Sequence, residues 1–457
     1  MIFSSIIFLF FYIIFVFIFY YLSPQKSKNF ILLLCSLFFY AWGEPVYVVL
    51  MIFSVIFNYL VALDIAESDG EIKKRSWNLF FGISVDLLLL FYFKYTNFFF
   101  SIFHLPGVNV TLPLGISFYT FQTISYLVDV YKKEVKPQKS FLDFALYVTM
   151  FPQLIAGPIV RYRDIEPSLK HRKISFVRMG YGANFFLRGL AKKVLLANNI
   201  GELASEIMAL NTGNRSMATA WLGAIAYTLQ IYFDFSGYSD MAIGLGEMFG
   251  FSFKKNFDYP YLSTSITEFW RRWHISLGQW FKEYVYIPLG GNRKGRAKQI
   301  RNILIVWMLT GLWHGAGWNF ILWGLYYGIL LIIEKIFLGK YLEKLPRLLQ
   351  HVYTMFLIVI GWVLFMSDGL SMVGSYLYSM FGNVSNMCDS AFLYYLCSYG
   401  FILLAGILCC GKFVPRLFAL LMENRPVFAA AVKMVLFFFI LCNLVYDSYN
   451  PFLYFRF

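Results

Sequence analysis

Long runs of apolar residues recur along the whole chain and constrain its fold more than any other feature. Several approach or exceed the ~20 residues that span a bilayer as a helix. Of the 457 residues, 59% are hydrophobic and only 14% are charged, against about 25% charged in soluble domains. A water-soluble globule cannot bury so much apolar side chain behind so few charges. The sequence therefore predicts an all-α polytopic membrane protein. It excludes a soluble enzyme, a nucleic-acid-binding module and a disordered chain.

The candidate embedded segments follow one another with no Gly/Ser-rich linker or low-complexity block between them. They lie near 2–22, 30–42, 45–63, 77–103, 112–131, 141–160, 179–200, 217–249, 302–313, 318–338, 351–366, 391–410 and 427–446. We therefore expect one membrane domain over residues 1–457. The first run, 2–22, has no early Lys or Arg and no small-residue cleavage site. This favours a retained first span over a removed signal peptide.

Lysine and arginine are concentrated in some connections and absent from others. This pattern predicts the orientation of the chain, because basic loops stay in the cytoplasm. The connections 104–111 and 367–390 contain neither residue and should face outward. The basic connections that follow the first, third and fifth segments should face the cytoplasm. The N-terminus is therefore predicted to be extracytoplasmic. The formal net charge of +14 is attributed to cytoplasmic loops and not to nucleic-acid binding.

Two apolar stretches break this alternation, because basic residues flank both of their ends. The first, 141–160, contains Pro152 and Gly157. Since such residues break helices, and irregular backbone survives at membrane depth only when it is buried or lines a cavity, we predict a re-entrant element there. The second, 302–338, is predicted to be a hairpin that bends near 314–317.

Polar side chains at membrane depth are functional candidates, because placing them in lipid is unfavourable. They are concentrated just beyond the middle of the chain, and the first group is Asp234, Ser236 and Asp240. Two carboxylates in an apolar helix need partners, and we expect Arg271 or Arg272 to supply them. The alternative, which the residues alone favour, is a polar network that only locks helices together.

A second group begins at Ser265–Glu268, a capping-box pattern that should open a helix. Aromatic residues that include Trp270 then recur at helical spacing as far as Pro288, which ends the helix. Its basic polar face predicts a helix at the cytoplasmic interface or one that dips into a cavity. His274 falls on the apolar face, where packing is a more common role for histidine than catalysis.

A third group, Gly311–Trp318, places His314 beside Trp313 and among small residues. Its glycines let another backbone or a thin ligand approach, and an imidazole pKa of about 6.5 suits proton transfer near neutral pH. A histidine that is hydrogen-bonded in a helix kink is the alternative. Zinc-site, G-x-S-x-G and Walker A motifs are absent from the sequence, so no metal is predicted. A channel or transporter stays open, but a histidine-centred acyl or group transfer fits best.

Six motifs resemble the membrane-bound O-acyltransferase family, and most closely its alginate O-acetyltransferase branch. They are FPQLIAGPIVR (151–161), DFSGYSDMA (234–242), EFWRRWHISL (268–277), YIPLGGNR (286–293), GLWHGA (311–316) and YFRF (454–457). The similarity covers nearly the whole chain in order. Two residues depart from the branch, Gly278 where a serine is usual and Tyr327 where relatives often have a histidine, and both leave the acceptor open.

The resemblance implies a ring of about 11–13 membrane-embedded helices around a thin centre, with re-entrant helices and a tunnel. It implies a catalytic core over about 141–338, in which His314 is the principal catalytic histidine and His274 the second. It also implies that an acyl group moves from a cytoplasmic thioester, acetyl-CoA or an acylated carrier protein, to an exported polysaccharide such as alginate. No bound cofactor is expected. The chain itself is expected in the plasma or inner membrane, with an extracytoplasmic acetyltransferase as its partner.

The chemistry of acyl transfer then suggests roles for the candidate residues. We expect His314 to act as general base on the acceptor hydroxyl and His274 to orient or polarise the acyl group. Tryptophans that include Trp270 and Trp313 are expected to line a short-acyl pocket.

Donor phosphates are expected near Arg271, Arg272 and Arg293, because cations hold phosphate groups. Three alternatives to O-acetyl transfer stay open. One is a D-alanyl transferase acting on teichoic acid, the second is an acyl or polymer channel, and the third is a scaffold without catalysis.

Overall fold

The computed structural model describes residues 1–383, 385–446 and 453. All of the regular secondary structure in these residues is helical, which confirms the predicted all-α class. The motif at 454–457 lies outside the described residues. The chain divides into two compact units, Met1–Phe186 with Tyr238–Lys254, and Leu187–Gly237 with Lys255–Phe457. The prediction of one domain over 1–457 stays a prediction.

The first unit is built from helices that begin at the N-terminus. They are α1 (Ile13–Leu22), α2 (Lys28–Gly43), α3 (Tyr47–Glu67), α4 (Ile72–Ile102), α5 (Ile116–Tyr131), α6 (Phe141–Thr149), α7 (Phe151–Leu154) and α8 (Tyr162–Lys170). A π-helical turn, Phe8–Tyr12, precedes α1. The division between the units falls within α9 (Phe176–Ala191) and α11 (Met217–Met248).

The second unit contains the remaining helices. They are α10 (Asn199–Ala209), α12 (Ile266–Arg272), α13 (Ile275–Phe281), α14 (Arg296–His314), α15 (Trp318–Ile333), α16 (Gly339–Leu342), α17 (Arg347–Met366), α18 (Leu370–Phe381), α19 (Ser390–Cys409), α20 (Phe413–Met422) and α21 (Pro426–Tyr446). Three π-helical segments lengthen or follow helices, Lys192–Asn198, Lys282–Tyr286 and Glu334–Leu338.

Six helices among the described residues are long and apolar enough to cross a membrane. They are Tyr47–Glu67, Ile72–Ile102, Trp318–Leu342, Arg347–Met366, Ser390–Cys409 and Pro426–Tyr446. Only 6% of the apolar window of the last one is buried. Apolar side chains that face outward in this way suit a lipid environment. The molecule is a multi-pass membrane protein, while the ring of 11–13 helices, the tunnel and the side of the N-terminus stay predictions.

The segment 141–160 is interrupted where the sequence indicated. α6 ends at Thr149, Met150 leaves the helical conformation, and the four-residue α7 follows. The interruption is confirmed, and its re-entrant path through a membrane stays a prediction. The connection 367–390, by contrast, is not a simple loop, because it contains the twelve-residue α18. The apolar stretch in this connection is too short for the sequence to predict an embedded helix.

A buried polar cluster joins three helices of the first unit. Asp86 on α4 accepts hydrogen bonds from the amide of Asn58 on α3 (2.9 Å) and the hydroxyl of Thr123 on α5 (2.8 Å). All three side chains are at most 2% exposed. Because buried polar groups without a partner are strongly destabilising, this cluster fixes the rotation of each helix about its axis.

We expect Asp86→Ala to lower the free energy of unfolding by about 1–3 kcal/mol, because one N–H of the buried Asn58 amide loses its acceptor. The measurement is the thermal unfolding midpoint of the purified protein in detergent. Asp64→Ala is the control, since Asp64 on α3 is exposed. Equal midpoints for the two variants would show that the cluster contributes nothing to stability.

Candidate active site

The aromatic helix predicted over Ser265–Pro288 is broken at His274, so the prediction of one continuous helix is wrong. α12 ends at Arg272 and α13 begins at Ile275. Between them, His274 adopts φ +43° and ψ +54°, the left-handed region that L-residues rarely occupy and that stops a right-handed helix. The sequence pattern hid the break because the aromatic spacing continues through both helices.

The asparagine Asn256 holds this break from a neighbouring segment. Its backbone carbonyl accepts the N–H of Ile275 (2.9 Å), and its side-chain oxygen accepts the N–H of Ser276 (3.2 Å). The same oxygen lies 2.9 Å from the Ser276 hydroxyl and 3.2 Å from His274 Nδ1. Asn256 thus satisfies the first N–H groups of α13, which have no partner within that helix.

A carboxylate from the π-helical segment after α15 caps the preceding helix, α12. Glu334 accepts hydrogen bonds from the N–H groups of Ile266 (2.7 Å) and Thr267 (2.8 Å) and from the Thr267 hydroxyl (2.6 Å). A negative charge is favourable at a helix N-terminus. Ser265 adds the cap that the sequence predicted, because its hydroxyl accepts the N–H of Glu268 at 3.0 Å. Two caps therefore fix the start of α12.

A cavity of about 670 Å³ lies beside α12 and α13, within the usual ~300–1,000 Å³ of small-molecule sites. Aromatic, small and cationic side chains form its walls. They include Trp270, Arg271, His274, Leu277, Gly278, Phe281, Lys282, Trp307, Thr310, Glu334 and Lys335. Three cations and one histidine therefore share one cavity, and the predicted residues Trp270, Arg271 and His274 are among its lining.

His274 is almost fully buried, with 1% of its surface exposed. It lies between two seven-residue helices, outside the six long apolar helices. Burial lowers the pKa of His274 to about 3, because a charged imidazole loses its hydration there. The ring is therefore neutral at physiological pH.

The second histidine is positioned by a helical hairpin. His314 is the last residue of α14, and the chain turns through Gly315–Gly317 before α15 begins. A Cβ atom at Gly311 would collide with the carbonyl of Phe320, so glycine lets the two helix backbones touch. The hairpin predicted over 302–338, with its bend at 314–317, is confirmed.

Aromatic rings surround His314. Its ring centroid lies 5.0 Å from that of Trp313, 5.0 Å from Trp323 and 5.2 Å from Phe365. Trp313 also contacts His274, at 5.9 Å between centroids, so one indole touches both imidazoles. Among the described residues that line the cavity, His274 is present and His314 is not. His314 is 2% exposed, so these aromatic side chains enclose it.

The predicted carboxylates occupy different surroundings. Asp234 forms an ion pair with Lys193 (2.7 Å), and the two side chains are 1% and 2% exposed. Its second oxygen accepts the N–H of Leu453 at 2.8 Å. The structure thus pairs Asp234 with Lys193 and not with Arg271 or Arg272, because the π-helical turn Lys192–Asn198 brings the lysine to it.

Two other predicted residues lie near this pair in sequence. Ser236 is within 3.4 Å of Lys192 Nζ, which makes it a member of the same buried polar region. Asp240 belongs to the first unit and is partly buried. The structural polar network that the sequence left open as an alternative describes Asp234 and Ser236 well.

The three predicted arginines do not share one environment. Arg271 lines the His274 cavity, whereas Arg272 pairs with Glu268 (2.7 Å) and lines a separate cavity with Arg347. Burial tends to raise the pKa of Glu268, but hydrogen bonds to its carboxylate and the charge of Arg272 outweigh burial and lower it. Arg293 is exposed in the turn that follows the π-helical segment Lys282–Tyr286.

Three residues of this region were missed by sequence reasoning. Asn256 gave no signal, since one asparagine in a polar loop is unremarkable in sequence. Glu334 resembles an ordinary charge at the end of an apolar run. Lys193 did carry a signal, because it stands inside the apolar run 179–200, where an unpaired cation is unfavourable.

Residues 75–380 match the membrane-bound O-acyltransferase family, so the match covers more than half of the chain. The chain belongs to this family. It is a multi-pass membrane acyltransferase, and the resemblance to this family is confirmed; five of the six motifs lie within the matched residues.

Three relatives show where it stands within the family. It is 42% identical over 391 residues to the probable alginate O-acetylase AlgI of Azotobacter vinelandii, which covers 83% of this chain and 78% of the relative. It is 38% identical to the peptidoglycan O-acetyltransferase of Helicobacter pylori, over 81% and 78% of the two chains. It is 28% identical to the teichoic acid D-alanyltransferase of Bacillus subtilis, over 56% and 67%.

The hairpin that carries His314 gives a direct test of close packing. We expect Gly311→Ala to lower the free energy of unfolding by about 1–3 kcal/mol, because the added methyl group forces α14 and α15 apart. Thermal unfolding in detergent measures the change. Gly400→Ala on α19 is the matched control, since no atom lies within 4 Å of its Cβ position. A Gly311→Ala protein as stable as this control would contradict the close contact.

Proposed function

We propose that the chain transfers an acetyl group from a cytoplasmic thioester to hydroxyl groups of a cell-surface or secreted polysaccharide. O-acetyl transfer is supported by the relatives at 42% and 38% identity, whose names specify O-acetylation. The D-alanyl alternative has weaker support, because the teichoic acid D-alanyltransferase is 28% identical over 56% of this chain. The cavity that joins His274 to three cations carries the proposal.

The reaction needs one base and one site for the thioester. The acceptor oxygen attacks the thioester carbonyl, and His314 takes the hydroxyl proton as the carbon–oxygen bond forms. The carbon–sulfur bond then breaks. The thiolate leaves with the proton returned by His314, so the histidine is regenerated. The contact of Trp313 with both imidazoles supports a role for both histidines in one reaction.

The cationic wall of the cavity suits a phosphorylated donor. Arg271, Lys282 and Lys335 share the cavity with His274, and charge-assisted hydrogen bonds hold phosphate groups. Acetyl-CoA and an acylated carrier protein both carry phosphate at the end of the pantetheine arm opposite the thioester. The donor is therefore a substrate that enters from the cytoplasmic side, and no resident cofactor is required.

The polymer and the partner form the last part of the proposal. An exported alginate-like polysaccharide is the proposed acceptor, and an extracytoplasmic acetyltransferase would complete its modification. The N-terminus would lie outside the cell, as the distribution of basic residues predicts. Acceptor-labelling experiments in cells that lack the partner would test this arrangement.

Replacement of His314 tests the proposed base. We expect His314→Ala to reduce acetyl transfer by about 100- to 10,000-fold, the usual contribution of a general base, in protein that still inserts and folds. The measurement is the radiolabelled acetyl content of the polysaccharide. His171→Ala is the control, because His171 is exposed at the end of α8.

Three outcomes would reject this proposal in different ways. Full acetylation by the His314→Ala protein would exclude His314 as the base and leave a scaffold as the better reading. If the His314→Ala protein still gives product but with altered selectivity, a channel would be favoured. Incorporation of labelled D-alanine in place of acetate by the unmodified protein would favour the D-alanyl transferase.

Replacement of a cavity cation tests donor binding. We expect Arg271→Gln to raise the KM for the thioester donor about tenfold with little change in kcat, because one charge-assisted phosphate contact contributes roughly 1.5 kcal/mol. Steady-state kinetics in detergent or nanodiscs measures both constants. Arg416→Gln on α20 is the control, since Arg416 is exposed. An unchanged KM would remove Arg271 from the donor site.

A further inference from the structure

The geometry points to a fixed tautomer of the second histidine. We infer that Asn256 holds the single imidazole proton of His274 on Nδ1. Nε2 then has a lone pair and can act only as a hydrogen-bond acceptor. Asn256 is therefore a positioning residue for the proposed transfer.

The hydrogen-bond partners of the Asn256 amide show which of its atoms is the oxygen. Oxygen and nitrogen of an amide are assigned from their partners, because their shapes are nearly the same. The backbone N–H of Ser276 is always a donor, and it lies 3.2 Å from the atom at the Oδ1 position. That atom must accept, so it is the oxygen. The Ser276 hydroxyl at 2.9 Å is a second donor to it.

The amide oxygen of Asn256 also favours a proton on one nitrogen of the His274 imidazole. His274 Nδ1 lies 3.2 Å from the same amide oxygen. An unprotonated Nδ1 would set two lone pairs against each other at this distance, whereas an N–H there makes a hydrogen bond. The Ser276 hydroxyl is more distant from Nδ1, at 3.5 Å, and already has the amide oxygen as an acceptor. The geometry therefore favours the Nδ1–H tautomer.

Backbone and ring contacts hold the His274 imidazole in this position. His274 is held at positive φ by the bond from Ile275 N–H to the Asn256 carbonyl. Its ring packs edge-to-face against Phe235, at 4.7 Å between centroids, and against Trp313. One asparagine thus fixes both the backbone break and the ring that the break presents.

The tautomer defines what His274 can do in the proposed function. A neutral imidazole with Nδ1–H has a lone pair on Nε2 and no proton there. It can accept a hydrogen bond from the acceptor hydroxyl, and it cannot donate one to the thioester carbonyl. His274 would then orient the acceptor rather than polarise the acyl group. This role depends on the proposed acyl transfer, but the tautomer itself does not.

Solid-state nuclear magnetic resonance of the full chain in lipid, with 15N-labelled histidine, tests the tautomer. The chain has five histidines, and the signals that vanish in the His274→Gln protein belong to His274. We expect a protonated Nδ1 and an unprotonated Nε2. A protonated Nε2 with an unprotonated Nδ1 in the unmodified protein would overturn the inference, whether or not the protein transfers acetyl groups.

Two variants of Asn256 separate positioning from simple packing. Asn256→Asp keeps an oxygen acceptor and should keep the Nδ1–H signal. Asn256→Leu removes the acceptor and should move at least half of the population to Nε2–H, with a raised KM for the polysaccharide. A folded Asn256→Leu protein in which His274 is still wholly in the Nδ1–H form would show that Asn256 does not set the tautomer.

Ser276→Ala is the matched control for these spectra. It removes the neighbouring hydroxyl but keeps the backbone N–H that identifies the amide oxygen. We expect the Nδ1–H signal to persist. Its loss in this variant would assign the tautomer to the serine and overturn the role given to Asn256. If the tautomer is as expected but no variant alters transfer by an active protein, the acceptor role of His274 fails on its own.

Discussion

The break between α12 and α13 is the feature on which the candidate site depends. A helix that stops inside a buried region leaves backbone N–H groups without partners, and each must be satisfied locally. Asn256 supplies acceptors to the start of α13, and Glu334 does so for α12. Because both partners come from outside the two helices, tertiary contacts set the orientation of His274. The cavity exists because these contacts stop a helix that the aromatic pattern would continue.

Close backbone contact performs the equivalent task for His314. Gly311 lets α14 and α15 touch, and the turn after His314 leaves that residue at the tip of the hairpin. Aromatic rings fill the space around it, and Trp313 contacts both imidazoles. In the proposed function, the aromatic rings around His314 would also exclude water from the thioester. Exclusion of water favours transfer to the acceptor over hydrolysis.

Much of the architecture could be predicted from the sequence, because apolar length and helix-breaking residues act locally. The interruption after Thr149 and the bend at Gly315–Gly317 are of this kind. The break at His274 could not be predicted, because the aromatic spacing is the same on both sides of it. The partner of Asp234 was also missed, since Lys193 reaches it across a π-helical turn that sequence periodicity does not reveal.

The sequence by itself determined that the chain is helical, membrane-embedded and a member of one acyltransferase family. These properties follow from composition, hydropathy and contiguous motifs, which all act over short stretches of chain. Only the tertiary structure decided which polar groups meet. It gathered Arg271 with Lys335 in one cavity, paired Asp234 with Lys193, and placed Asn256 against His274. Such pairings depend on the distance between segments remote in sequence, and a buried polar group must find its partner wherever the packing supplies one.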